Sequence, residues 1–188
     1  MSNPVSHPQT ASQTVGPFYA IGLTETHSPM KHFGAVSNTI VGKGQKIKIS
    51  GKIFDRDGMV IKDALVEIYQ TDGDGRADAN GFIGLARSDT GKSDDNSFSF
   101  NTVKPGARYS DEAPHIAVAI FMRGLLLHTY TRIYFSDEEI ANEKDPVFRM
   151  LPLNRSGTLI AERESSALPH YQFNIYMQGE SETLFFRI

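Results

Sequence analysis

The side chains that could do chemistry in this chain are few. It has six histidines: His7, His27, His32, His115, His128 and His170. None stands at i, i+2 or i, i+4 to another, so the usual neighbouring pair of a non-haem metal site is missing. His7, His27 and His32 lie in a polar leading segment and are expected to be solvated. His170 follows Pro169 in a loop, and His128 lies on a strand that returns from a turn. His115 opens an apolar run after Ala113-Pro114. A histidine at a strand mouth ordinarily serves as hydrogen-bonded structure, and only with further donors as a ligand. Arg132, inside Thr131-Arg132-Ile133-Tyr134-Phe135, has two readings. It pairs with a carboxylate of a neighbouring strand, or it offers a planar, permanently charged fork to an anionic ligand.

Other motifs fail on inspection. The loop Asp72 to Gly81 alternates Asp and Asn in the manner of a calcium loop. Started at Asp72, it puts Arg76 at the fifth position and Ala77 where glycine is needed; shifted by four, it makes Arg76 the first ligand and Arg87 the last. A cation would sit where an anion must. There is no Gly-x-Ser-x-Gly elbow, P-loop or dinucleotide fingerprint. The absence of cysteine removes disulfides, thiolate nucleophiles and every Cys-based metal site.

Those residues must be positioned by a chain of 188 residues, 39% hydrophobic and 22% charged, long enough for a sizeable core. A net charge of -3 lacks the basic excess of a phosphate-tracking nucleic-acid binder. The longest apolar run, Ile116 to Met122, has seven residues, where a membrane-spanning helix needs about 20. The start carries no basic cluster followed by an apolar run, so a cytoplasmic protein is expected, and Asn154-Arg155-Ser156 is a chance glycosylation match.

Residues 1–44 hold four of the nine prolines and no sustained period. They are expected to be an extended arm, with a β domain over 45–188. Ile47, Ile49 and Ile53 alternate with lysines, and Gly51 marks a possible bulge. Asp57-Gly58 reads as a turn, Leu65 to Thr71 as a strand, Asp72 to Lys92 as loop and Phe98 to Val103 as a strand. His115 to Met122 is apolar on both faces, which predicts a central strand, with Leu125 to Phe135 returning antiparallel. Ser136 and Glu139 read as a capping box opening a short helix before Pro146. Thr158 to Arg163, Tyr171 to Met177 and Thr183 to Ile188 complete the strands. The fold class expected is all-β: an antiparallel β-sandwich with an extended N-terminal arm and one or two short helices.

Several segments together resemble the intradiol ring-cleavage dioxygenases. They are Ser12-Gln13-Thr14-Val15-Gly16-Pro17-Phe18-Tyr19, Ala64 to Asp72, Thr102 to Gly106, Ala113-Pro114-His115-Ile116, Arg123-Gly124, Thr131 to Phe135, Asp145-Pro146-Val147 and Gln178 to Phe186. Their order spans Ser12 to the carboxyl end. Within that family the chain resembles the α subunit of the enzymes built from α and β chains. The resemblance implies insertion of both atoms of O2 into protocatechuate, giving 3-carboxy-cis,cis-muconate. The cofactor it implies is Fe(III), held by two tyrosines and two histidines of a partner β subunit.

Set against the β chain's ligand pattern, His115 matches the first histidine, but the second is Ala117, and Glu112 replaces an arginine. Arg108 stands where a ligand tyrosine falls, with Tyr109 one residue late, and no tyrosine lies between Tyr69 and Tyr109. The chain therefore matches the metal-free partner. The resemblance further implies that Thr14, Gly16 and Pro17 line the pocket over the β chain's iron and that Arg132 lies near the substrate carboxylate. Phe18, where some α chains have tyrosine, packs against a ring but offers no hydroxyl, and Tyr19 is a weak substitute. The arm would be ordered by the second subunit. Two other readings remain: a stand-alone β-sandwich binding module, and a self-sufficient dioxygenase using His115, His128, Tyr109 and Tyr130.

Overall fold

The computed structural model describes residues 8–24, 36–77, 81–152 and 154–187, which leaves His7, His27 and His32 outside the described residues. The lysine–isoleucine alternation makes β1 (Lys46–Gly51), with Ile47 and Ile49 buried and the lysines exposed. After it come β2 (Ile53–Phe54), β3 (Leu65–Tyr69), β4 (Leu85–Asp89), β5 (Phe98–Val103), β6 (His115–Phe121) and β7 (Thr129–Phe135). The chain ends with β8 (Ile160–Glu164), β9 (His170–Gln172) and β10 (Ile175–Tyr176).

Eight strands form one sheet in the order β4-β3-β6-β7-β8-β9-β1-β5, and β10 pairs with β2. The sheet is mixed, since β1–β9 and β7–β8 are parallel pairs; the separate β10–β2 pair is parallel too. That corrects the expectation of a purely antiparallel sandwich. The two edge strands approach each other, the Ser99 amide of β5 donating to Ser88 Oγ of β4 at 3.1 Å, so the sheet is nearly closed. One core runs through it, from Ile47 and Ile49 through Phe98 and Phe100 to Val66, Ile68, Ile116 and Ile120.

Other expectations need correction. A strand, β4, lies inside the stretch expected to be loop, pairing with β3 from Leu65↔Asp89 to Tyr69↔Leu85. Gly51 is not a bulge, since β1 and β5 pair without interruption through Gly51↔Phe98. It is required because a Cβ there would lie 1.7 Å from the Phe173 carbonyl oxygen. The capping box does not form: Ser136 Oγ accepts from the Arg163 amide, and residues 136–138 are a 3-10 turn ahead of α1 (Glu139–Lys144). A second helix, α2 (Pro146–Arg149), is capped by Asp145, whose carboxylate accepts from the Val147 and Phe148 amides at 2.9 Å, with proline at the tolerant first position. Tyr171 to Met177 breaks into β9 and β10, and the final stretch makes one isolated bridge, Phe186 to Tyr130.

Candidate functional site

β6 is central but not buried on both faces. Ile116, Val118 and Ile120 point into the core, while Ala117 on the other face is exposed. That outer face is crossed by a rung of three residues, Tyr69↔Ala117↔Arg132, on β3, β6 and β7. Because Ala117 and Ala119 are small, the sheet surface sinks there, and α2 with the carboxyl-terminal Leu184 and Phe186 stands over it as a wall. The result is a cavity of about 730 Å³ lined chiefly by apolar side chains. A smaller cavity of about 220 Å³ adjoins it, lined by Arg108, Tyr109, Glu112 and His115 among others. Tyr69, Ala117 and Arg132 line both.

Arg132 sits at the junction. Its Nη1 donates to the Tyr134 hydroxyl at 3.2 Å, and the guanidinium lies 5.8 Å from the Phe186 ring centre. Ala117, not a carboxylate, faces it across β6, and no carboxylate pairs with it among the described residues. Glu67, which lines the same cavity, is held by Arg87 Nε at 2.7 Å instead. Tyr134 is itself buried under the helices, its hydroxyl 3.2 Å from Asp145 Oδ1, and burial pushes its phenol up to about 12.

His115 Nδ1 lies 3.0 Å from the Ala113 carbonyl oxygen. A carbonyl only accepts, so Nδ1 carries the proton. Burial, with the Arg132 charge nearby, lowers the His115 pKa despite that bond, and the neutral ring leaves Nε2 as a free acceptor. These residues do not suit a ferric ion. The His115 imidazole shares its cavity with Arg108 and Arg132, and the place of a second histidine is Ala117. Among the described residues no group of three or more His, Asp or Glu could hold a metal. The four-residue set His115, His128, Tyr109 and Tyr130 is split. Tyr109 and His115 share the small cavity, whereas His128 stacks on Phe121 and touches the Tyr130 hydroxyl elsewhere.

The arm residues form a second group. Thr14 Oγ1 accepts from the Gly124 amide at 2.8 Å, which ties the arm to the turn between β6 and β7. The Tyr19 amide donates to the Gly16 carbonyl at 3.3 Å, closing a turn over Pro17 and Phe18. The Tyr19 hydroxyl accepts from the Leu65 amide at 2.9 Å and donates to the Phe121 carbonyl at 2.7 Å, with the Asp63 carbonyl also in reach at 3.0 Å. Burial pushes its phenol well above the usual range. Tyr19 is thus an anchor, not a stand-in for a hydroxyl at position 18. Its fixed turn presents Phe18 to solvent at 76% exposure. Among the described residues, Thr14 and Tyr19 tie this part of the arm to the rest of its own chain. Arg132 lines the two cavities over β6, and Thr14 lines neither of them. Arg108, Tyr69 and Phe186 escaped the sequence reading as groove residues; the only local signal was the pair of alanines on the outward side of β6.

Two relatives decide the family. The chain is 42% identical over 192 residues to the protocatechuate 3,4-dioxygenase alpha chain of Burkholderia cepacia, covering 96% of this chain and 98% of the relative. It is 37% identical over 194 residues to the alpha chain of Pseudomonas putida, covering 95% and 96%. This chain belongs to the family of protocatechuate 3,4-dioxygenase alpha chains. The likeness to a beta chain is weaker: 27% over 163 residues for that of Burkholderia cepacia, covering 74% of this chain and 67% of the relative. No family model matches the chain. The fold is that of an intradiol ring-cleavage dioxygenase from Tetranychus urticae, with a TM-score of 0.62 at 18% identity, covering 82% of this chain and 92% of that one. The dioxygenase domain of a Streptomyces carbohydrate-binding fusion gives 0.58 at 21% identity, covering 98% and 96%. For an alpha chain of this family, the poor donor set around His115 and the anchored, outward-facing arm are the two features that bear on its role.

Proposed function

We propose that this chain is the iron-free α subunit of a ferric intradiol dioxygenase. Its partner β chain would bind Fe(III), and together they would cleave protocatechuate with O2 to 3-carboxy-cis,cis-muconate. The ring bond between the two hydroxyl-bearing carbons breaks, and one oxygen atom enters at each end, so no external reductant is needed. The single observation that carries the reading is the match to alpha chains over nearly the whole length. In this reading Thr14, Gly16, Pro17 and Phe18 cover the pocket over the partner's iron. A turn fixed by the Tyr19 hydroxyl and projecting an exposed aromatic ring suits that task, since it supplies apolar cover at little ordering cost. Arg132, which opens on the groove, serves as a carboxylate-binding group.

Expression with and without an iron-binding β chain tests it. The chain alone is expected to hold no stoichiometric iron and to lack visible phenolate-to-iron absorption. The complex is expected to be coloured and to consume O2 with protocatechuate. Tight ferric iron in the lone chain, or a monomer that ignores every β chain offered, overturns the reading; the latter favours a stand-alone module. Phe18→Ala should lower kcat/KM of the complex several-fold while stability stays within about 0.5 kcal/mol, because the side chain is exposed. Unchanged kcat/KM removes Phe18 from the pocket.

A further inference from the structure

We infer that the Asp57-Gly58 turn is a covalent modification site, where Asp57 rearranges to isoaspartate and becomes a substrate for an S-adenosylmethionine-dependent isoaspartyl methyltransferase. The inference is independent of the subunit reading. In the first step the Gly58 amide nitrogen attacks the Asp57 side-chain carboxyl carbon and water leaves, closing a succinimide. Water then opens the ring. Addition at the side-chain carbonyl restores aspartate. Addition at the main-chain carbonyl breaks its bond to the Gly58 nitrogen, so the chain runs through the side chain and an α-carboxylate is freed. One water leaves and one enters, and nothing is oxidised or reduced. The methyltransferase esterifies the freed carboxylate with the methyl group of its co-substrate.

The chain has three Asp-Gly pairs, at residues 57–58, 72–73 and 74–75. Glycine matters as the second residue because no side chain shields its amide nitrogen. Composition makes the three pairs equal, and the structure separates them. Asp72 is buried, and its Oδ1 accepts from the Asp74 and Arg76 amides at 2.9 Å. The Gly73 amide donates to the Lys43 carbonyl at 2.6 Å, and a Cβ on Gly73 would lie 2.6 Å from Gly44 Cα. Neither reacting group is free there, and a ring has no room. The Asp74 carboxylate meets Lys43 Nζ at 2.6 Å, and that bond lowers its pKa, so the neutral acid that can shed water is scarce. The Gly75 amide donates to the Asp72 carbonyl at 3.0 Å, and a Cβ on Gly75 would lie 2.0 Å from the Ala107 carbonyl oxygen. Asp57 differs at every point. It is exposed, and its carboxylate has no hydrogen bond or ion pair among the described residues. The Gly58 amide reaches only the Asp55 carbonyl, at a long 3.3 Å, and a Cβ on Gly58 would meet nothing within 4 Å. Both reacting groups are available in open space.

The turn also gives the modification a structural consequence. Asp55 Oδ1 accepts from the Asp57 amide at 2.9 Å and the Met59 amide at 2.8 Å, while the Asp55 amide donates to the Met59 carbonyl at 3.0 Å. Isoaspartate puts an extra methylene into the main chain inside that ring of bonds. The same turn leads to the Phe54–Val60 bridge and to the 2.8 Å bond from the Ile61 amide to the Ile53 carbonyl, so the rearrangement loosens β2.

The test ages the folded full chain beside a synthetic peptide of residues 53–62, which serves as the clock. Lysine-specific digestion isolates 53–62, and trypsin isolates 63–76, which holds the other two pairs. An isoaspartyl methyltransferase with labelled S-adenosylmethionine counts isoaspartate in each fragment. Fragment 53–62 should split into two chromatographic species of equal mass and take up several-fold more label than 63–76. The modified fraction of the chain should melt below the unmodified one. Asp57→Glu, whose side chain is one methylene too long for the five-membered ring, should lose the signal and keep the parent's Tm. Three results would each overturn the inference: no isoaspartate in 53–62 of the chain while the synthetic peptide rearranges, equal label in the two fragments, or a signal that survives Asp57→Glu.

Discussion

Arg132 shows how far one residue can be read from its type. A guanidinium in the middle of a strand needs a partner, and the ordinary partner is a carboxylate across the ladder. Here the cross-strand neighbour is Ala117, and the guanidinium is held by a hydroxyl and a ring instead. Arg132→Ala should therefore cost 4-hydroxybenzoate roughly 1.5–3 kcal/mol of binding, the range for hydrogen bonds to charged groups, and cost 4-hydroxybenzyl alcohol little. Arg132→Lys should recover only part of the loss, because an ammonium cannot grip a carboxylate by two parallel bonds. Equal losses for acid and alcohol would assign Arg132 a structural role. His115 was legible as a lone imidazole without a partnering histidine. That its free nitrogen faces a cavity was not legible, because the position of the ring depends on the Ala113 carbonyl two residues away and on strands far off in sequence.

At the scale of elements, local pattern succeeded where burial was one-sided. β1 and β5 fall where alternation of apolar and polar residues puts them, whereas β7 starts at Thr129, four residues after the expected Leu125. It failed where a local rule competes with a tertiary demand. Ser136 and Glu139 have the spacing of a capping box, but the serine oxygen is taken by the Arg163 amide from a distant strand. β4 hid among turn formers because its pairing with β3, not its composition, makes it a strand. The arm is the clearest case. The sequence around Tyr19 has no period and is still tied to the sheet, because a single phenol satisfies main-chain groups of residues 65 and 121. Tyr19→Phe would leave the Leu65 amide and the Phe121 carbonyl without that partner, at about 1–3 kcal/mol, or a fall in Tm of roughly 2–10 °C. Limited proteolysis should then cut within residues 8–24 faster than in the unaltered chain. Equal cutting rates would mean that the arm is held by other contacts.

The whole molecule is held together by links no segment contains. Gly51 is one: its backbone touches the Phe173 carbonyl, and Gly51→Ala should destabilise the fold by about 2 kcal/mol or more in denaturant unfolding. Another joins β5, the turn after β7 and β9. Lys104 meets Asp137 at 3.0 Å and Glu138 at 2.6 Å, and the Tyr171 hydroxyl donates to Asp137 at 2.9 Å. Burial works against the Asp137 carboxylate, yet Lys104 and Tyr171 hold its pKa below the usual value. A depressed folded-state pKa stabilises the fold above the unfolded value, near pH 4, and that contribution is lost as pH falls through the folded value. Tm should therefore drop less between pH 5 and acid in Asp137→Asn than in the parent; parallel curves would remove Asp137 from the acid limb.

By itself, the sequence determined that this is a β-rich chain with an aperiodic leading segment and no histidine pair at i, i+2 or i, i+4. Those properties are local: alternation, turn residues and spacing are written along the chain. Only the tertiary structure decided that the sheet is mixed and nearly closed, that β6 turns two alanines outward, and that Arg108, His115 and Arg132 meet in one groove. Strand neighbours are chosen among competing long-range pairings, and every register that buries the same side chains looks alike from within a single segment.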